Sequence, residues 1–212
     1  MTRDNAVKQA THYFESGQLQ SDLAGLVAYR SESQNPKQEA ELERYLVQAI
    51  RPRLEAMGFD CELHDNPSTK IKGGPFLIGI RMEDPALPTV LTYGHGDVIR
   101  AQTEQWREGL GPFTLVEEGD RLYGRGTADN KGQHLVNIAA LEAVLAERGS
   151  LGFNVKIVIE MSEETGSAGL PEFFTAQKDR LKADVLIASD GPRLQPDTPT
   201  MFMGSRGGVS FD

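Results

Sequence analysis

Cysteine is nearly missing from this sequence. Cys61 is the one example among 212 residues, so no internal disulfide can form, and both a disulfide scaffold and a thiolate zinc finger are excluded. Cys61 itself reads as a small core residue in a strand. A basic excess is also missing: 22 Lys and Arg against 31 Asp and Glu give a formal net charge of −9. Nucleic acid and anionic membrane surfaces both need a basic face, so neither is expected as a partner. No apolar run approaches the roughly 20 residues that span a bilayer. The opening MTRDNAVKQATHYFESGQ has no apolar core followed by a small-residue cleavage site, so the chain reads as soluble and cytoplasmic. Repeats and low-complexity stretches are absent too. The length suits one sizeable domain and is too short for two full-sized ones.

What is present is an alternation of two periodicities. A polar N-terminal helix and a short helix near 21–29 precede Asn35-Pro36, which opens a long helix with Gln38 placed for a capping box. Leu42, Leu46, Ala49, Ile50 and Leu54 give that helix one apolar face, Pro52 predicts a kink, and Gly58 stops it. The runs FDCELH, FLIGI, VLTYG, VKIVIEM and DVLIASD read as strands. Helical patterns fall between them, one over about 130–148 and one following Gly169 through LPEFFTAQKDRL. This alternation predicts an α/β fold with a mostly parallel central sheet flanked by helices. The continuous apolar character of VLTY, KIVI and DVLIA predicts strands covered on both faces.

The acids and histidines fall at the strand exits. VLTYG runs into His95 and Asp97, VKIVIEM into Glu163 and Glu164, and DVLIAS into Asp190, while Asp129 lies at the start of the long helix after GRGTA. Ligands of open α/β sheets bind at the carboxyl ends of strands, so these positions can converge on one crevice. Taken singly, each has a plainer reading: a hydrogen-bonded structural histidine, a solvated helix start, a surface acid pair, or aspartates capping turns. Their joint occurrence at strand ends argues for a shared site. Converging carboxylates would repel in a partly dry cleft unless cations neutralised them. A set of imidazole and carboxylates without thiolate favours Zn²⁺, with Mn²⁺ or Co²⁺ as substitutes, over Ca²⁺ or Mg²⁺. GRGTADNKG lacks the third glycine of a dinucleotide-binding loop. His12 and His64 read as ordinary surface or loop histidines. His134 reads as structural more readily than as a support for the ligands, and Trp106 could wall the cleft or simply pack.

With those residues in view, GHGDV, LYGRGTADNKGQ, MSEETGSAGL and ASDGP, in that order, resemble the signatures of the zinc aminoacylase, carnosinase-type dipeptidase and glutamate carboxypeptidase family of co-catalytic metallopeptidases. The wording GTADNKGQ and EETGSAGL, with GSRGGVSF, looks most like the dipeptidase branch. The resemblance implies a zinc-exopeptidase-like catalytic domain holding two Zn²⁺, with Asp129 bridging both ions. It assigns His95 and Asp190 to one site and Glu164 to the other. Asp97 is implied to orient the His95 ring, Glu163 to act as general base, and the Asp129–Asn130 peptide to be cis. The implied reaction is hydrolysis of a peptide or N-acyl amino acid amide bond by a dizinc-activated water. A non-catalytic metal-binding or scaffold module is the rival reading.

The family's remaining ligand is a histidine far downstream, beyond a lid or dimerisation domain, and neither falls within these residues. The expectation is therefore a truncated chain. Residues 1–203 would form the N-terminal part of the catalytic domain, and 204–212 the start of the segment leading to the lid. A homodimer would form through that lid, and this segment alone would have weak or no turnover.

Overall fold

The computed structural model describes residues 3–191, 193–195 and 197–202. The segment 204–212, expected to lead toward a lid, lies outside the described residues. Helices α1 (Arg3–Glu15) and α2 (Gln18–Val27) come first. Asn35 then caps a 3₁₀ turn, Pro36–Gln38, its side chain accepting the Lys37 N–H. The expected long helix follows in three parts: α3 (Glu39–Arg44), a π-helical segment (Tyr45–Ile50) and α4 (Arg51–Ala56). Pro52 has no N–H to give the preceding turn, and the helix widens directly before it, so the irregularity takes the form of π geometry. Gly58, at φ 79°, ends the helix where a side chain would be strained.

The strands are β1 (Asp60–His64), β2 (Phe76–Arg81), β3 (Thr89–His95), the small hairpin β4 (Val116–Glu118) and β5 (Arg121–Tyr123), then β6 (Asn154–Glu160) and β7 (Val185–Ala188). Helices α5 (Lys131–Arg148) and α6 (Leu170–Ala176) flank β6 in sequence. The main sheet has the order β1-β2-β6-β3-β7. β6 pairs in parallel with β3, and β3 with β7, whereas β2 is antiparallel to both β1 and β6. Four strands therefore point one way, and β2 alone is reversed.

β6 is buried along its whole length and divides its residues between two cores, as a period of two requires. Val155, Ile157 and Ile159 join Leu77 and the apolar faces of α2, the π segment, α4 and α5. Val158 points to the other side, with Phe76, Ile78, Leu91 and Phe173 of α6. Phe76 and Phe173 stack at 4.1 Å between centroids, 7° from parallel. Each fully buried large apolar side chain contributes on the order of 1.5–3 kcal/mol. Cys61 is half-buried against the first core, as expected, and burial raises its thiol to about 11.

The cover predicted for DVLIA is not found at β7. Among the described residues β7 is an edge strand, and Val185, Leu186 and Ile187 are 49%, 63% and 48% exposed. An apolar run marks a surface suited to burial, but it does not fix a strand's place in the sheet order. No described helix is long and apolar enough to cross a membrane.

Candidate metal centre

The parallel strands deliver their carboxyl ends to one place. β3 and β6 pair with His95 opposite Glu160, so the turns leaving both strands start side by side. β7 is in register on the other side of β3, Ala188 opposite Tyr93, which brings Asp190 alongside. Asp129 arrives from the start of α5, across an Asp129–Asn130 peptide that is cis. The glycines flanking His95 permit the close packing: a Cβ at Gly94 would press on Asn130 and His134, and one at Gly96 would overlap the Tyr45 ring.

His95, Asp129 and Asp190 each offer a ligand atom, and these atoms lie within 4.8 Å of one another. His95 Nε2 is 2.9 Å from Asp129 Oδ1, 3.6 Å from Asp190 Oδ1 and 3.8 Å from Glu163 Oε2. The imidazole is fully buried, while Asp129 is largely open to solvent. His95 Nδ1 faces Asp97, 3.1 Å from its carbonyl oxygen and 3.3 Å from Oδ1. The buried Asp97 carboxylate also accepts the backbone N–H groups of Glu163 at 3.1 Å and Glu164 at 3.2 Å. One carboxylate thereby ties the histidine ring to the 3₁₀ turn Glu163–Thr165 that carries both glutamates. Gln34 braces the same turn, donating to the Glu164 carbonyl at 3.1 Å. Glu164 falls outside the group of three whose donor atoms converge.

The donor set fits a divalent cation. Burial and then the Asp129 charge push Glu164 up to about 7. Burial is also the main cause that raises Glu163, with the His95 charge acting to lower it and the charges of Asp190, Asp97 and Asp129 acting to raise it. Burial acts to lower the His95 imidazole, but hydrogen bonding to Asp190 and Asp97, together with their charges, raises it to about 11. Asp190 is held below its ordinary value by hydrogen bonding to His95, against the effect of burial. Crowded carboxylates that hold protons against their ordinary tendency are what a doubly charged ion would relieve.

Several participants were not anticipated from sequence. Asn130 Nδ2 donates to Ser189 O at 2.6 Å and to Asp190 Oδ1 at 2.9 Å. His134, expected to be structural, sits 3.2 Å from Asn130 Oδ1 and 2.6 Å from the Tyr45 hydroxyl, and burial lowers its imidazole to about 3. Lys131 is buried, donating to Leu26 O at 3.0 Å and Tyr29 O at 2.8 Å, 5.0 Å from the Tyr45 ring centroid. Adjacency to Asp129 was the one available signal for Asn130, and Tyr45 lies too far away in sequence to have given any. Trp106 packs within its own loop, donating to Ala101 O at 2.9 Å with Arg125 above its ring. His12 is exposed, and His64 meets Phe173 edge-on at 5.5 Å.

The sequence pattern of Peptidase family M20/M25/M40 matches residues 91–202. Beta-Ala-His dipeptidase of Mus musculus is 32% identical over 212 residues, an alignment covering 94% of this chain and 43% of that protein. Cysteinylglycine-S-conjugate dipeptidase of Corynebacterium striatum is 31% identical over 192 residues, covering 90% and 40% respectively. The crystal structure of human carnosine dipeptidase 1 is similar at a TM-score of 0.78 and 31% identity, over 87% of this chain and 41% of that one. The chain thus spans about two fifths of the length of the relatives it matches.

Proposed function

Since this chain belongs to peptidase family M20/M25/M40, we propose that the protein carrying it is a metal-dependent hydrolase of small peptides, dipeptides in the first instance, using two Zn²⁺ ions. The observation that carries this reading is the convergence of His95, Asp129 and Asp190 donor atoms within 4.8 Å, with the Glu163 carboxylate beside them. Dipeptidase names among the relatives support the substrate class.

Asp129 would be shared between the ions, with His95 and Asp190 on one and Glu164 on the other. Bound zinc would supply Lewis acidity, polarising the scissile carbonyl and bringing the pKa of a water toward 7. Glu163 takes the proton of the attacking water and returns it to the leaving amine, and a raised carboxyl pKa suits both transfers. Asp97 keeps the His95 ring turned toward the centre and holds the Glu163 backbone in place.

The test is dipeptide hydrolysis by the metal-stripped protein before and after zinc is restored. Activity that appears with zinc and vanishes with chelator is expected. Hydrolysis indifferent to chelator would overturn the metal mechanism, and zinc binding without turnover would leave a metal-binding module.

A further inference from the structure

Resting on the metal reading above, we propose that Tyr45, His134 and Asn130 form a buried positioning relay that fixes Asp190 and His95 in the orientation needed to hold a cation. The donors and acceptors along this chain admit only one arrangement. Asn130 presents one end of its amide to Ser189 O and Asp190 Oδ1, both acceptors, and the other to the His95 backbone N–H at 3.3 Å. Rotating the amide by half a turn would set oxygen against two acceptors and N–H against a donor, so Nδ2 must face Asp190 and Oδ1 must face His95. His134 Nδ1 approaches that same Oδ1 at 3.2 Å. It can only be donating, so the proton of the neutral imidazole sits on Nδ1. The bare Nε2 then accepts the Tyr45 hydroxyl at 2.6 Å.

Tyr45 is itself held firmly. It opens the π-helical segment, is fully buried, and meets Tyr29 edge-on at 5.6 Å. Its ring fills the space a side chain at Gly96 would need, directly under the turn between His95 and Asp97. π-helical turns are common where a helix must aim one side chain at a functional site. The relay therefore runs from a rigid helix, through one imidazole tautomer and one amide rotamer, to His95 at the end of β3 and Asp190 just beyond the neighbouring parallel β7. None of the three side chains needs to touch substrate or cation.

The tautomer is read directly from ¹⁵N-histidine correlation spectra of the metal-free protein. His134 is expected as a single neutral form protonated on Nδ1, with its Nε2 resonance moving in Tyr45→Phe. Zinc affinity is then measured by chelator competition in the parent, Tyr45→Phe, His134→Leu and, as a control for loosened packing, Leu135→Ala. Leu135 is the buried neighbour of His134, with no polar group to contribute. The two relay variants are expected to bind zinc about 10-fold or more weakly, as losses of groups supporting metal ligands do. The control is expected to lower the thermal midpoint while changing affinity less than about twofold, since it removes packing and no hydrogen bond. An Nε2-protonated His134, or parent-like zinc affinity in folded Tyr45→Phe, would overturn the relay. A parent protein that binds no zinc would overturn the metal reading instead, and the histidine spectra would still decide the relay.

Discussion

Glu163 and Glu164 are adjacent in sequence yet face different demands. Glu163 Oε2 lies 3.8 Å from the His95 ring, whereas the Asp129 charge is the strongest electrostatic influence on Glu164. Glu163→Gln keeps the shape and removes the proton acceptor, so kcat should fall by at least about 100-fold while zinc stoichiometry stays unchanged. Glu164→Ala should lose zinc. A metal titration in which both variants behave alike would show that the two roles are wrongly divided. The convergence of His95, Asp129 and Asp190 was legible in the sequence because His95 and Asp190 fall at strand exits, Asp129 at a helix start, and the surrounding signatures are specific. Asn130 and Tyr45 were not, and His134 was only the lesser of two readings, because their roles depend on a hydrogen-bond chain between helices 89 positions apart in sequence, which no local pattern encodes.

At the scale of elements, every predicted strand and helix exists, though α6 ends at Ala176, short of the expected LPEFFTAQKDRL, and the β4–β5 hairpin was not expected. Two features of the main sheet also escaped the sequence. FLIGI is apolar enough to be central in either direction, and its reversal is set by the connection. Residues 65–75 carry no helix between β1 and β2, and parallel neighbours need a long crossover, usually helical. DVLIA gave no sign of lying at an edge. The packing of α6 bears on the site because this helix begins right after the turn holding the glutamates. Phe173→Ala removes its stacking partner for Phe76 and should cost roughly 3–5 kcal/mol, read by chemical denaturation. A loss under 1 kcal/mol, roughly a surface-like effect, would mean that the stack does not anchor α6. Glu83, beyond β2, accepts the N–H groups of Leu151 at 2.7 Å and Gly152 at 2.8 Å ahead of β6. Burial works against its charge, but those two bonds and Arg81 hold its carboxyl below the ordinary value. A carboxyl lowered on folding stabilises above its unfolded pKa, and that contribution fades as pH falls through the folded one. Glu83→Gln should therefore unfold at a lower temperature than the parent at pH 7. The two should converge in acid, well below the ordinary Glu value of about 4.3, and a gap independent of pH would refute this account.

For the molecule as a whole, cation binding at this centre would be linked to folding, because His95, Asp129 and Asp190 come together only when β3, α5 and β7 are in place. Free zinc at 100 times its dissociation constant adds about 2.7 kcal/mol per site. For a domain of this size that raises the melting temperature by roughly 5–10 °C. Asp129→Ala should abolish the shift, and a parent protein melting identically with and without zinc would argue against any native cation site. The order in which the ligands occur along the chain also bears on biosynthesis. Asp190 follows β7, which must pair with a β3 completed nearly a hundred residues earlier. A ribosome that has released β3 and α5 therefore exposes an imidazole and one aspartate with no third partner. Cation capture at these three residues would have to wait until β7 docks beside β3.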